Sequence, residues 1–415
     1  MIKKKYLLIL GGSIDQVFLI KTAKKINYKT ICLDKNKNAI AKNISDIFIN
    51  VDFSKINEVK KKIYKYRKSI SGVITMGSDC PEDVSKISKY LKIKSLSLET
   101  AKICKNKLLM KKIFKRIKVP TADFIFTKSF KRTLNFFRQN HYKPIIIKPI
   151  NLAGSRGVFL IEKEECIERQ VNKLLKITKN KKFIAEQYLA GPQISTETLV
   201  QKKKIYTLGF ADRNYQDTKR FRPQIIENGG SVPSLYKKYK KNIDKIIKKI
   251  ILYINFSDGV IKGDFVINNN KTKIIEFAGR LSGGDFCESL VPLSTKKNYV
   301  IDAIKIATNQ KNFKITKKVK YNEIVKNRYF FLKEGVFESV LGIKKIKKIN
   351  ELHKIALNIK KKHKISNPTS HSSRAGVFIV KGRSQYKVNK AIEKIYSTIK
   401  FKINGKFYSG DPKKW

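Results

Sequence analysis

DGVIKGDFVINNNKTKIIEFAGRLSGG, residues 258–284, decides how the rest of this 415-residue chain is read. Two strand-like runs, Gly259 to Ile267 and Lys273 to Phe277, flank Asn268-Asn269-Asn270-Lys271, a turn made of residues that tolerate tight backbone angles. Asp264 and Glu276 stand in the runs among apolar neighbours, where a carboxylate is costly unless something positive meets it. Antiparallel pairing about the turn would bring both acids to one end of a sheet. Behind them come Arg280, an always-charged planar fork suited to phosphate, and Gly283-Gly284, which let a backbone approach a ligand closely. Two acids, an arginine and a glycine pair point to a divalent cation bridging phosphates. A hairpin with a structural Asp/Arg/Glu network fits this stretch alone equally well, so the rest of the chain has to decide.

The length allows two or three domains with an ample core, and the hydrophobic fraction of 41% is that of a globular protein. No apolar run approaches the ~18 residues of a membrane-spanning helix. The opening MIKKKYLLILGG reads as a first strand entering a glycine turn rather than as a signal peptide, because the apolar run stops at Leu10 and Asp15 follows. A cytoplasmic protein with no membrane association is expected. Five scattered cysteines with no C-x-x-C pair argue against a disulfide framework and a zinc site. The histidines at 141, 353, 363 and 371 lack metal-binding spacing and are assigned no role.

A formal charge of +60 would ordinarily point to nucleic acid. Here lysine dominates, only thirteen of 92 basic residues being arginine, and it is spread along the chain beside abundant Ile and Asn. With no basic tail, zinc finger or aromatic-and-basic motif, nucleic acid is not expected as the main partner. Attraction for anionic metabolites is the plainer consequence.

Residues 1–105 alternate short apolar runs with amphipathic stretches, the pattern of β-α-β units on a parallel sheet. Strands are expected at Tyr6–Leu10, Thr30–Leu33, Ile47–Val51 and Gly72–Met76, with helices over Ile14–Ile26, Ile56–Lys68 and Glu82–Leu91. Gly11-Gly12 after the first strand and Asp34 after the second suggest a dinucleotide site, but G-x-G-x-x-G is absent and NAD is not expected. Gly77-Ser78-Asp79 offers a rim for a small substrate over the strand ends. Lys102–Ile117 reads as one basic helix ended by Val119-Pro120.

In KPIIIKPINLAGSRGVFLI, residues 143–161, a strand ending in Lys148 enters a loop carrying Gly154, Ser155, Arg156 and Gly157, then a second strand. Small residues there can turn amide N–H groups toward a phosphate, with Lys148 and Arg156 supplying charge. The P-loop and protein-kinase signatures are absent. FIAEQYLAGPQISTETLV, residues 183–200, reads as strand, turn, strand, with Glu186 at its head and Glu197 on one face with Ser195 and Leu199. Its amides and acceptors suit a purine edge and ribose hydroxyls. A basic helix follows over Lys237–Ile254, and another helix over Tyr299–Ala307. The last hundred residues form an α+β unit, with strands at Arg328–Leu332 and Gly376–Val380, a helix at Lys387–Ile399 and a polar loop at Ser366–Ser373.

In this order the parts resemble the ATP-grasp superfamily, in the branch of biotin carboxylase, carbamoyl-phosphate synthetase, the purine-pathway ligases and the L-amino-acid ligases. The carrying motifs are NKLLMK around Lys107, IIIKPINLAGSRGV, EQYLAGPQISTE and GDFVI with IIEFAGRLSGG. The resemblance implies an α/β and α+β architecture: a Rossmann-like pre-ATP-grasp domain at 1–105, an ATP-grasp domain at 106–315 with a lid subdomain near 121–185, and a C-terminal α+β domain at 316–415. It implies ATP and Mg²⁺ (or Mn²⁺) as cofactors. Lys107 and Lys148 would hold the α- and β-phosphates, and the Asn151–Gly157 loop would close over the β- and γ-phosphates. Glu186 with the Tyr188-Leu189 backbone would read adenine, and Gln193 would meet the ribose. Asp264 and Glu276 would hold the metal, and Arg280 would face the transferred phosphoryl group.

Two positions depart from the pattern. Ala278 stands where relatives often have a metal-binding asparagine, which removes one ligand, and Gln193 replaces a common glutamate, keeping a hydrogen bond without the charge. The implied activity is ligation of a small-molecule carboxylate to an amine through an acylphosphate, in what is often a homodimer. The alternatives are bicarbonate-dependent carboxylation, a purine-pathway ligation, and a basic nucleic-acid-binding protein on an inactive scaffold.

Overall fold

A computed structural model describes residues 5–178, 181–315 and 319–414. The amino-terminal unit is a four-stranded parallel sheet of β1 (Tyr6–Leu10), β2 (Lys29–Asp34), β3 (Ile47–Asn50) and β4 (Ile70–Ile74), in the order β3-β2-β1-β4. The central strands β1, β2 and β4 are mostly apolar because both faces are covered. Leu8, Leu10, Ile31 and Leu33 face α2 (Ile56–Ile63) and α3 (Pro81–Tyr90), which follow α1 (Ile14–Lys25) in the chain. Leu7, Ile9 and Cys32 face the other way, into a core shared with Leu199, Phe286 and Tyr299. Every cysteine is a free thiol.

The basic stretch at 102–117 is two helices rather than one, α4 (Leu98–Lys105) and α5 (Lys107–Arg116). Asn106 breaks it, its side chain accepting the amides of Leu108 and Leu109 at 3.0 and 3.1 Å as a helix N-cap. Lys107 thereby becomes the first residue of α5.

A second sheet holds β5 (Phe124–Thr127), β6 (Ile145–Pro149), β7 (Phe159–Ile161) and β8 (Phe183–Gln187), antiparallel in the order β5-β8-β6-β7. Two helices, α6 (Phe130–Gln139) and α7 (Ile167–Ile177), pack on one face through Phe137, Val171 and Leu174.

The central antiparallel sheet begins with β9 (Gln193–Gln201), β10 (Lys204–Arg213), β11 (Gly230–Val232), β12 (Gly259–Asn268) and β13 (Lys271–Ala278). The carboxy-terminal segment supplies β14 (Ile324–Phe330), β15 (Gly335–Leu341), β16 (Leu352–Leu357), β17 (Lys364–Ile365), β18 (Gly376–Gly382), β19 (Lys400–Ile403) and β20 (Lys406–Tyr408). Three of these extend the central sheet to β13-β12-β9-β10-β11-β14-β18-β16; the other four form β17-β15-β19-β20. On one face of the central sheet, Ile194, Phe210, Ile261 and Phe265 pack on α5 and on α8 (Lys240–Tyr253). The opposite face packs Leu199, Ala211 and Val260 on the core with Phe286 and Tyr299 and carries polar side chains beyond them.

The β12–β13 hairpin carries the feature that orders this polar face. Its two-residue turn, Asn269-Asn270, is left-handed at both positions (φ 48° and 58°). Strict pairing from that turn runs from Asn268↔Lys271 to Phe265↔Ile274 and would set Asp264 against Ile275, leaving Glu276 on the other face. A bulge after Phe265 instead sets Asp264 against Glu276, so both carboxylates share one face. Ser195 on β9 pairs with Asp264 from the other side, and the next row on that face is Glu197, Lys262 and Ala278.

Candidate active site

The β5–β8 sheet, the central sheet and the amino-terminal unit meet around a cavity of about 410 Å³, within the range of small-ligand sites. One end is apolar, walled by Ile146 on β6, Val158, Ile225 and the Tyr188-Leu189 connector. The middle is ionic. Lys107 bonds the Leu152 carbonyl at 2.7 Å and lies 3.2 Å from Glu276, so the start of α5 ties the 151–157 loop to the hairpin. Lys262 pairs with Asp264, which also accepts from the Ser195 hydroxyl. Burial alone would push the Glu276 carboxyl up, but the charges of Lys107, Lys148 and Lys262 outweigh it and hold it at about 2. Glu276 is thus an anion at any ordinary pH.

Under the floor lies a buried triad. Glu186 on β8 forms ion pairs with Lys148 at 2.6 Å and Lys111 at 2.7 Å, and Lys111 donates to Thr121 Oγ1 at 2.7 Å. Burial opposes the Glu186 charge and the two ammoniums reverse that, keeping the carboxyl below its ordinary range.

The far end is built by three segments. Arg213 ends β10 and pairs with Glu227; Arg374, just before β18, lies 3.6 Å from the same carboxylate and stacks 3.8 Å over the Tyr329 ring. Arg280 reaches toward Asp79 at 3.7 Å. The Nε atoms of Arg280 and Arg374 are buried without a hydrogen-bond partner. His371, in the polar loop before β18, donates its amide to the Gly154 carbonyl at 3.2 Å, and its Nε2 meets Ser155 Oγ at 3.2 Å. Burial and the nearby charges of Arg374, Arg213 and Lys262 hold that imidazole neutral, well below its ordinary value.

The structure therefore brings Lys107, Lys148, Gly154, Ser155, Glu186, Tyr188, Leu189, Gln193, Asp264, Glu276 and Arg280 to one cavity. Two positions singled out in the sequence stand apart. Arg156 turns back on its own loop, its Nε donating to the Ala153 carbonyl at 3.0 Å, and Gly157 packs against Pro149; neither lines the cavity. Sequence reading missed Lys111, Lys262, Arg213, His371, Arg374 and Asp15. Lys262 was findable, since period-two alternation puts it on the face of Asp264. The others arrive from distant segments, and His371 had been given no role.

Among the described residues no cluster of three His, Cys, Asp or Glu side chains suits a metal, and no helix is long and apolar enough to cross a membrane. Two carboxylates alone are a small set for a cation, but they suit one that takes its remaining oxygens from phosphates and water.

Residues 105–285 match the family model of the phosphoribosylglycinamide synthetase ATP-grasp (A) domain, and residues 328–404 that of the L-amino acid ligase C-terminal domain 2. Among curated proteins, D-alanine–D-alanine ligase of Fusobacterium nucleatum is 28% identical over 168 residues, 39% of this chain; the match spans about half (54%) of that relative's length. Among solved structures, L-amino acid ligase of Bacillus licheniformis superposes with a TM-score of 0.79 at 17% identity, covering 96% of this chain and 98% of that one. Phosphoribosylglycinamide synthetase of Anaerococcus prevotii gives 0.73 at 22%, covering 96% and 100%. The chain carries an ATP-grasp domain at residues 105–285 and, over nearly its whole length, the ATP-grasp fold.

Proposed function

We propose that the protein is an ATP-dependent ligase that joins a small-molecule carboxylate to an amine through an acylphosphate, releasing ADP and phosphate. The observation that carries this reading is the bulge-enforced pair Asp264/Glu276, in one cavity with Lys107, Lys148, Arg280 and Arg374. A polyphosphate fits between these groups, and an acid fits beyond it.

Asp264 and Glu276 would hold Mg²⁺ (or Mn²⁺), which would supply positive charge to offset that of the phosphates. The rest is done by the chain. The apolar walls and the 188–189 connector accept the base, and Gln193 lines the cavity where a ribose would lie. Lys107 and Lys262, paired with the metal acids in the free protein, exchange carboxylate for phosphate when nucleotide enters and so free both acids. Glu186 fixes Lys148 in place through a charge-assisted bond, which leaves the remaining ammonium protons to point into the cavity.

Arg374 and Arg213 hold the acid, and Arg280 faces the γ-phosphoryl group. A carboxylate oxygen bonds to γ-phosphorus as the bridging oxygen departs with ADP. The amine nitrogen then bonds to the acyl carbon, the carbon–oxygen bond breaks, phosphate leaves and nitrogen gives up a proton. Ser155 and His371 close the loop over this end, excluding water that would hydrolyse the acylphosphate. The match of residues 328–404, which include His371 and Arg374, to an L-amino acid ligase domain supports amino acids as the first acids and amines to try.

The test is ADP release from Mg-ATP with the twenty L-amino acids and simple mono- and dicarboxylic acids, offered singly and in pairs, with Glu276→Gln as control. Release that needs both an acid and an amine and vanishes in the variant is the expected result. Equal release by the variant would defeat the assignment of the metal acids.

A further inference from the structure

Beyond Arg280 the cavity is walled by the amino-terminal unit. Gly77, just after β4, donates its amide to the Leu281 carbonyl at 3.0 Å, fastening that unit to the Arg280–Gly284 segment. Asp15, the second residue of α1, lines the cavity there beside Gly77, Gly283 and Gly284. Its Oδ1 accepts the Gly284 amide at 3.0 Å. Its Oδ2 sits between two glycines: a Cβ on Gly77 would stand 2.4 Å from it, and one on Gly283 would stand 2.6 Å away. A side chain at either position would collide with the carboxylate.

This acid differs from the others in the cavity. Glu186, Asp264 and Glu276 are each met by lysine. Asp15 has no ion-pair partner among the described residues, in a chain with 92 basic and 32 acidic residues. The two cations whose fields reach it are engaged elsewhere. Lys354 is held by Asp285 and Glu288 at 2.7 and 3.1 Å, and Arg280 lies toward Asp79. Partial burial raises its carboxyl above the ordinary value, outweighing the Gly284 amide and the fields of Arg280 and Lys354.

Contacts run without a gap from the acid-binding arginine to this carboxylate. Arg374 stacks on Tyr329, the Tyr329 hydroxyl donates to the Gly284 carbonyl at 3.4 Å, and the Gly284 amide donates to Asp15. A cation and an unpaired anion therefore flank one compartment, separated by one tyrosine and one glycine.

We propose that Asp15 is the ammonium subsite of the amine substrate. The inference rests on the ligase reading above and narrows it: the nucleophile arrives as a positively charged primary amine, is held by a residue outside the ATP-grasp domain, and passes one proton to the Asp15 carboxylate before its nitrogen attacks the acyl carbon. It is not an uncharged amide or a carbon nucleophile.

The test uses the full-length protein and its Asp15→Asn variant, which keeps an acceptor for the Gly284 amide. Mg-ATP and the same set of acids are supplied with either hydroxylamine, uncharged at neutral pH, or an L-amino acid carrying an ammonium group. Hydroxamate and ADP are the readouts. Losing one charge-assisted contact costs about 1.5–3 kcal/mol, so kcat/KM for the ammonium nucleophile should fall about 10–100-fold. Hydroxamate formation should stay within about twofold, which also shows that the variant is folded. An equal loss with both nucleophiles, or with neither, would overturn the subsite. A wild-type protein that forms hydroxamate from no acid would overturn the ligase reading itself, before the variant is consulted.

Discussion

Glu186→Gln is the sharpest structural perturbation the site offers. The native carboxylate lies between two ammoniums, 2.7 Å from Lys111 and 2.6 Å from Lys148, with the three side chains at most 7% exposed. The amide keeps the shape but leaves two buried positive charges facing a neutral group. Removing one partner of a buried ion pair costs about 3–5 kcal/mol, mainly because the surviving charge stays desolvated. Glu276 helps hold Lys111 and Lys148, which places the expected cost toward the lower end of that range.

Native-state hydrogen exchange of the β6 and β8 amides reads this cost locally, without assuming that a chain of this size unfolds in one step. Their opening free energy should drop by about 3 kcal/mol at neutral pH. Because the folded carboxyl is depressed, its contribution is present above the ordinary value of 4.5 and lost as pH falls through the folded value, so the gap should close in acid. Adding Lys111→Met should recover part of the loss. A change below about 1 kcal/mol, the size of an ordinary surface effect, would refute the triad as the support of Lys148. A loss of ATP affinity with unchanged exchange would assign Glu186 to adenine instead.

Two further perturbations separate other parts of the site. Glu197 is buried beside Ser282 with no basic partner, and burial pushes its carboxyl up to about 7 despite two hydrogen bonds from Ser282. The folded state therefore binds the extra proton, and wild-type stability should fall by roughly 3 kcal/mol between about pH 4.5 and 7. Glu197→Gln should lack that slope in urea titrations across the range, and parallel wild-type and variant curves would contradict it. Arg374→Met keeps the stem on Tyr329 but removes the charge; the KM of the acid substrate should rise about 10–100-fold while ATP affinity holds. A variant with an unchanged KM would take Arg374 out of acid binding.

The legible parts of this molecule were those that local pattern dictates. The parallel amino-terminal sheet follows from alternating apolar and amphipathic stretches, and the hairpin from its asparagine turn. What escaped reading needed knowledge of register or of distant partners. Period two from the Asn269-Asn270 turn separates Asp264 from Glu276; only the bulge at Ile275 unites them, and no residue type announces it. Lys102–Ile117 reads as one amphipathic helix because Asn106 costs little by propensity, whereas its cap splits the helix and turns Lys107 onto the 151–157 loop. Lys111 is one lysine among dozens in the sequence, and only the fold, by bringing Glu186 of β8 to it, sets it apart. His371 and Asp15 come from opposite ends of the chain, 356 positions apart, to line the same compartment.

The central claim, that the protein activates a carboxylate as an acylphosphate, has a direct isotopic test. The acid substrate found by the ADP-release screen is labelled with oxygen-18 in its carboxylate and turned over with unlabelled ATP, and the released phosphate is analysed by mass. Attack of the carboxylate on the γ-phosphorus, as the proposed roles of Arg374, Arg280 and Lys148 in one cavity imply, transfers one labelled oxygen to each phosphate. Phosphate carrying no label would show that water, not the carboxylate, took the γ-phosphoryl group, and would contradict acylphosphate formation at this site.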